Sequence, residues 1–317
     1  MLPAVRLALC CLATAVLPAG EAGSSVPAEQ VRASFTAGRA AVTGVVEGAT
    51  EFLPVSSTGH LILANAAMGV PAGADVAVAG VVDRRGRAVS LKRAADDYIV
   101  IIQVGAILAV VAAFWRRFRH PNPRLVLSTL VAFLPAAALG LLAKDLIADH
   151  LFDPRVVAVA LLAGGLAMLA FDRLLPRGER PAHDELDVLT LPQALRVGCF
   201  QCLALVPGTS RSLATLLGGR AAGLSHAAAA EFSFLVGFVT LTAASLYKAW
   251  QLGPALVQIY PAGPALLGLA VSFAVAYATA GWLVEHLQRR GFAAFAWYRI
   301  VLGLALLAAW AWLPAEG

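Results

Sequence analysis

Charge is scarce in this sequence. Only 14% of its 317 residues are Asp, Glu, Lys or Arg, where a soluble domain carries about 25%. With 60% hydrophobic residues, the composition excludes an ordinary soluble domain. Cysteine is scarce as well, with four residues at Cys10, Cys11, Cys199 and Cys202. No thioredoxin-like βαβ context surrounds Cys199-x-x-Cys202, so two small residues on one turn of a packed helix is the plainer reading than a redox pair. No basic-aromatic pattern is present, which argues against a nucleic-acid partner. The His-Glu-x-x-His signature of zinc proteases is missing too.

What the chain does have is long apolar stretches. They run from Tyr98 to Trp115, Leu125 to Ile147, Val156 to Phe171, Ala227 to Trp250, Pro264 to Leu287 and Tyr298 to Leu313. Crossing a hydrocarbon core takes roughly 20 residues. In lipid such stretches must be helices, because backbone groups find no water to pair with. The expected fold is therefore an all-α polytopic membrane protein. Residues 1–22 look like a targeting segment, with Arg6 before the apolar run Leu7 to Leu17 and small residues after it. Residues 1–35 then form a signal-like or anchor segment with an exported linker, and residues 36–317 form the integral membrane domain.

Two apolar stretches are broken in the middle. Thr36 to Val70 is interrupted by Pro54, serines and Gly59, and Leu191 to Ala222 is interrupted at "PGTSRS". Each reads as two half-helices joined by a polar loop, which is the best sequence pointer to a midplane site. The two also resemble each other: "GVVEGATEFLPVSSTGHLIL" from Gly44 and "GCFQCLALVPGTSRSLATLL" from Gly198. Counting from each proline pairs Ser57 with Ser210. This gives a duplicated unit, repeat one over about 36–118 and repeat two over about 190–250. Three spans separate the copies, and an odd count makes them enter from opposite faces. The expectation is an inverted-topology repeat with two re-entrant segments meeting near the midplane.

Loop charge suggests orientation. Arg116, Arg117, Arg119 and Arg124 share a side with Arg173, Arg177, Arg180, Arg289 and Arg290. That side should be cytoplasmic. Residues 71–97 oppose this assignment, since they would lie outside yet hold Arg84, Arg85, Arg87, Lys92 and Arg93 beside four aspartates.

The broken segments hold the polar side chains. Glu47 and Glu51 are one helical turn apart and share a face. Carboxylates inside a membrane are expensive and mark function by default; on an interfacial helix they would merely be solvated. Such a pair suits a hard divalent cation, Mg²⁺ or Ca²⁺, or general-base work. Ser56, Ser57, Thr58 and His60 follow. A serine near an imidazole outlines a nucleophile and base, although such groups also satisfy backbone in membrane turns. The second loop adds Ser210, Arg211, Ser212 and Thr215. A guanidinium, hydroxyls and a half-helix N-terminus make an anion site; alone, Arg211 would read as snorkelling to an interface. Together these groups describe phosphoryl chemistry.

The motifs "GVVEGATEFLPVSSTGHLIL", "IIQVGAILAVV", "FWRR", "GCFQCLALVPGTSRS" and "AAAEFSFL" resemble the bacitracin-resistance family of undecaprenyl-diphosphate phosphatases. The resemblance runs from about residue 36 to the end. It implies hydrolysis of undecaprenyl diphosphate to undecaprenyl phosphate, recycling the lipid carrier of cell-wall synthesis. It also implies a multi-pass protein of the bacterial inner membrane, divalent-cation dependence and a pocket opening to the periplasmic side. The residues it implicates are Glu47, Glu51, Ser57, His60, Ser210, Arg211 and Thr215. Glu47 and Glu51 would hold the metal or activate the nucleophile. Ser210, Arg211 and Thr215 would clamp the diphosphate. Leu213 stands where the family usually has glycine, which bears on rate and substrate preference more than on reaction type. The expected partners are a polyprenyl diphosphate and membrane lipids, and a homodimer stays open. Two rivals remain. A lipid or ion transporter would use the same broken-helix scaffold. The other class of lipid phosphatase would need a Lys-(six)-Arg-Pro stretch, which the chain lacks.

Overall fold

The computed structural model describes residues 25–68, 76–143, 154–175 and 182–312. The chain begins with β1 (Ser25–Pro27) and α1 (Ala28–Ser34), then the first broken segment, α2 (Ala37–Thr50) and α3 (Ser57–Ala67). Next come β2 (Ala77–Val82), β3 (Ala88–Ser90), α4 (Leu91–Ala113), α5 (Trp115–Arg119), α6 (Pro123–Leu142), α7 (Pro154–Leu174) and α8 (Ala182–Asp187). The second broken segment is α9 (Leu191–Gln201), a 3₁₀ turn (Cys202–Leu205) and α10 (Arg211–Ala221). The chain closes with α11 (His226–Leu252), α12 (Ala255–Ile259), α13 (Ala262–Arg290) and α14 (Ala293–Trp312).

Five helices are long and apolar enough to cross a membrane: Arg93–Ala113, Pro123–Leu142, Arg155–Leu174, His226–Leu252 and Ala262–Arg290. The protein is thus an all-α polytopic membrane protein. The sixth expected span forms α14, whose apolar part, Ala293–Ala308, is shorter. The half-helices cannot span alone. At 1.5 Å per residue, the 14 residues of α2 reach about 21 Å and the 11 of α10 about 16 Å, against a core of about 30 Å. The targeting segment expected at 1–22 and the loop arginines Arg177 and Arg180 lie outside the described residues.

By packing, the chain divides into two units. The first comprises residues up to Ala49, His60–Ala109 and Leu241–Ala276. Its core gathers Val31, Val78, Val81, Val89, Ile102 and Ile259. The rings of Phe35, Tyr98 and Tyr260 meet in a triangle, with centroids 4.8 Å (Phe35–Tyr98), 5.1 Å (Phe35–Tyr260) and 5.7 Å (Tyr98–Tyr260) apart. A small sheet, not expected from the sequence, covers this core in the order β1-β2-β3. β1 runs parallel to β2, pairing Ser25 with Ala77 and Pro27 with Ala79. β1 precedes α2 and β2 follows α3, so the first broken segment begins and ends at one sheet.

Charged groups of the basic stretch gather beside the same sheet. Asp83 is buried after β2 and accepts from the backbone N–H of Arg85 and Arg87, both at 2.9 Å, and from the side chains of Arg87 at 3.0 Å and Arg93 at 2.9 Å. Asp97 accepts from Lys248 at 2.8 Å and faces Arg93 at 3.6 Å. Arg84 and Arg85 lie over the ring of Trp250. Of the charges that conflicted with the loop-charge rule, Arg84, Arg85, Arg87 and Arg93 are therefore engaged locally.

The second unit comprises Thr50–Gly59, Val110–Thr240 and residues from Tyr277 onward. Here α14 lies along α7. The approach is close enough that a Cβ on Gly165 would stand 2.8 Å from the Ala296 carbonyl oxygen, and one on Gly303 would stand 2.9 Å from that of Ala158. In lipid, where apolar contact alone does not favour association, such small-residue seams let helix backbones meet. Cys199 is exposed on α9 and Cys202 is half-buried in the 3₁₀ turn that follows, both as free thiols.

Candidate active site

The two broken segments share a backbone device. Ser56 and Ser210 have φ of +75° and +76°, and among the described residues no other non-glycine residue has a positive φ. Each directly precedes a half-helix, Ser56 before α3 and Ser210 before α10. The left-handed conformation costs an L-residue roughly 1–2 kcal/mol and persists only where the surroundings enforce it. The backbone therefore pairs Ser56 with Ser210, and Ser57 with Arg211. This corrects the pairing of Ser57 with Ser210 obtained by counting from the prolines. The first loop is one residue shorter between its proline and the left-handed turn. Consequently Ser57 and Arg211 each open a half-helix.

Their side chains meet on one carboxylate. Glu51 lies in the turn after α2 and is 6% exposed. Its Oε2 accepts from Ser57 Oγ at 2.6 Å, and its Oε1 accepts from Arg211 Nη2 at 3.1 Å. Arg211 Nη1 donates to the Ser233 carbonyl oxygen at 3.0 Å. Thr215 Oγ1 lies 2.6 Å from Ser233 Oγ and donates back to the Arg211 carbonyl at 3.0 Å. Ser210 Oγ is 3.0 Å from Ser212 Oγ and accepts from the Leu213 N–H at 3.4 Å, capping α10. Ser212 Oγ in turn donates to the Leu53 carbonyl at 2.8 Å, which ties one loop to the other. An aromatic wall stands beside them, with Phe234 between Phe52 at 5.1 Å and Phe114 at 5.5 Å.

Of the expected residues, Glu51, Ser57, Ser210, Arg211 and Thr215 thus form one hydrogen-bonded cluster. The other two belong to the first unit. Glu47 lies on α2 and is fully buried. It is flanked by Gly44 and Gly48, where a Cβ would stand 2.5 Å from the Gly268 carbonyl oxygen and 2.6 Å from that of Ser272. His60 lies in the first turn of α3 and is partly buried.

Three contributors escaped the sequence reading. Ser233 fixes both Arg211 and Thr215. Gly237, one turn further along α11, leaves room for the guanidinium, since any Cβ there would run into Arg211. Both lie in or just after the quoted "EFSFL" motif, where a serine and a glycine four apart on one apolar helix were the available signal. Arg299 on α14 bonds to the backbone of both loops. An arginine inside an apolar helix was itself the signal.

Electrostatically, the cluster is a buried ion pair with a hydroxyl attached. The side chains of Arg211 and Glu51 are 10% and 5% exposed, so their attraction is weakly screened. Among the described residues no three His, Cys, Asp or Glu side chains converge. Those described residues therefore offer no closed metal cage. Magnesium needs none, because one or two carboxylates suffice when water and substrate phosphate complete the shell. Carboxylate chemistry fits that demand.

Comparison with known proteins gives the family. Residues 40–305 match the family model described as bacitracin resistance protein BacA. The chain is 43% identical over 287 residues to the undecaprenyl-diphosphatase of Verminephrobacter eiseniae (strain EF01-2), covering 87% of this chain and 96% of the relative. It is 42% identical over 280 residues to the undecaprenyl-diphosphatase of Sorangium cellulosum (strain So ce56), with 84% of each chain covered. It is 41% identical over 285 residues to undecaprenyl-diphosphatase 2 of Rhodospirillum rubrum, covering 87% of this chain and 96% of the relative. With a family match over residues 40–305 and relatives 41–43% identical across most of both chains, this chain belongs to the BacA bacitracin resistance protein family.

Proposed function

We propose that the protein is a membrane-embedded phosphatase that hydrolyses undecaprenyl diphosphate to undecaprenyl phosphate and inorganic phosphate. The observation that carries this reading is Glu51 held between Ser57 Oγ and the Arg211 guanidinium, in a chain whose curated relatives are named undecaprenyl-diphosphatases. The product would return the lipid carrier to cell-wall synthesis, and its recycling would confer bacitracin resistance.

The chemistry follows from the cluster. The Ser57 hydroxyl proton already has an acceptor in Glu51 at 2.6 Å, the arrangement a serine nucleophile needs. As Ser57 Oγ attacks the terminal phosphorus, its proton passes to Glu51 and the bridging P–O bond breaks. Undecaprenyl phosphate leaves with the bridging oxygen. Water then hydrolyses the phosphoserine to inorganic phosphate and restores the serine. In the direct alternative, Glu51 takes the proton of a water held by Ser57. Arg211 suits the charge that develops on the phosphoryl oxygens, and the free N–H groups opening α10 add to it. Thr215 and Ser210 hold that end of the site. His60 would serve as a further acid or base. A divalent cation, Mg²⁺ or Ca²⁺, would be held by Glu47 and Glu51 and would neutralise diphosphate charge when bound. The lipid tail needs only an apolar groove between helices. The reading further places the protein in the bacterial inner membrane, with the site opening to the periplasmic side.

The test is phosphate release from a long-chain polyprenyl diphosphate by purified protein in detergent, with and without EDTA, beside Glu51→Gln. Cation-dependent release that collapses in the variant supports the enzyme. No release from folded protein across several divalent cations would sink it and favour a transporter on the same scaffold.

A further inference from the structure

Arg299 is fully buried within α14, with 0% exposure. Its guanidinium ends on four backbone carbonyls. Nη1 donates to Pro54 at 3.1 Å, Nη2 to Gly208 and Ala160 at 3.0 Å each, and Nε to Leu161 at 3.3 Å. Pro54 belongs to the first polar loop and Gly208 to the second. Each stands three positions before the residue that opens its half-helix, Ser57 and Arg211 respectively. Arg299 therefore holds equivalent points of the two loops with one rigid fork. The scaffold makes room for it. A Cβ on Gly164 of α7 would run into the Arg299 guanidinium and would stand 2.7 Å from Leu213 Cδ2. That notch also seats Leu213.

A buried arginine in an apolar helix is costly, and packing alone is served as well by an apolar residue of similar size. A fork matched to four carbonyls does what an apolar residue cannot: it sets a distance. We propose that Arg299 is a positioning residue. By clamping Pro54 and Gly208 it keeps the Ser57–Glu51 and Arg211–Glu51 bonds at reacting distance. This role rests on the phosphatase reading above. A misplacement of about 1 Å far from the chemistry costs on the order of 10²-fold in rate.

The experiment compares wild type, Arg299→Lys and Arg299→Met in detergent, measuring unfolding midpoint, kcat and KM for a long-chain polyprenyl diphosphate. Lysine keeps the charge but loses the fork. The expected result is folded Arg299→Lys with kcat reduced about 10- to 100-fold and KM changed less than about 3-fold. Arg299→Met is expected to fall at least as far. Folded Arg299→Lys at wild-type kcat overturns the role, as does a loss confined to yield or unfolding midpoint. If the arginine variants do not fold, Gly164→Ala keeps the arginine and its charge while intruding on the guanidinium. The same drop in kcat is expected there, and wild-type kcat overturns the role. Absence of turnover in folded wild type overturns the phosphatase reading and this role together. Wild-type turnover that Arg299→Lys leaves intact overturns the positioning role alone.

Discussion

Arg211 Nη2 donates to Glu51 Oε1 at 3.1 Å across 160 positions of sequence. This single bond joins the two polar loops through their charged groups. It places a carboxylate and a guanidinium, each almost buried, where neither is tolerated alone.

The pair should behave as a unit. Removing one partner of a buried ion pair strands the other and costs about 3–5 kcal/mol. Glu51→Gln and Arg211→Gln should each lower kcat/KM by at least about 10²-fold. The double variant should be scarcely worse than the poorer single one, because groups that act together are non-additive. A cycle of rates on the four proteins checks this. Additive losses would mean the two act independently.

Ser57 separates the two chemical routes. If its Oγ attacks phosphorus, Ser57→Ala should fall by at least on the order of 10⁴-fold, toward the roughly 10⁶-fold loss seen when a serine nucleophile is removed. An acid-quenched reaction with labelled substrate should then carry phosphate on wild type and none on the variant. A loss of only about 10²-fold, with no labelled protein in either, would assign attack to water.

Gly237 tests the fit around the guanidinium. A methyl group there runs into Arg211, and overpacking of this kind costs about 1–3 kcal/mol. Gly237→Ala should therefore lower kcat/KM about 10- to 100-fold, with a modest drop in unfolding midpoint. Unchanged kinetics would show that Arg211 has another seat in the working enzyme.

The sheet makes a prediction in pH. Burial by itself raises the Asp83 pKa, but bonds from the Arg87 and Arg85 backbone and the Arg93 and Arg87 side chains outweigh it. Its carboxyl is held well below the usual carboxylate range. A depressed folded pKa means stability that is complete above the unfolded value of about 3.9 and is lost as pH falls toward the folded one. Wild type should unfold at a higher temperature than Asp83→Asn by a constant margin from pH 7 to about 4, and the margin should shrink below that. A margin independent of pH down to about 2.5 would mean that Asp83 carries no linked proton.

Much of this protein is set by sequence alone, for physical reasons that act locally. Apolar runs must become helices in lipid, and Pro54 and Pro207 with their polar neighbours must break them. Residue chemistry then singled out Glu47, Glu51, Ser57, His60, Ser210, Arg211 and Thr215, because polar groups are expensive in a membrane; that five of them share one hydrogen-bonded cluster is tertiary. What only the tertiary structure decided depends on distant carbonyls and on empty space. The left-handed turn that pairs Ser56 with Ser210 is a backbone angle, invisible to counting from prolines. The sheet that joins Ser25 to Ala77 and the sink that Asp83 makes for Arg87 and Arg93 are pairings across loops that read as plain charge. The space that Gly237 leaves for Arg211, and the carbonyls that Arg299 gathers from Pro54 and Gly208, exist only once helices far apart in sequence pack together. Helix formation and the cost of charge in lipid are local, whereas a distance between two loops is not.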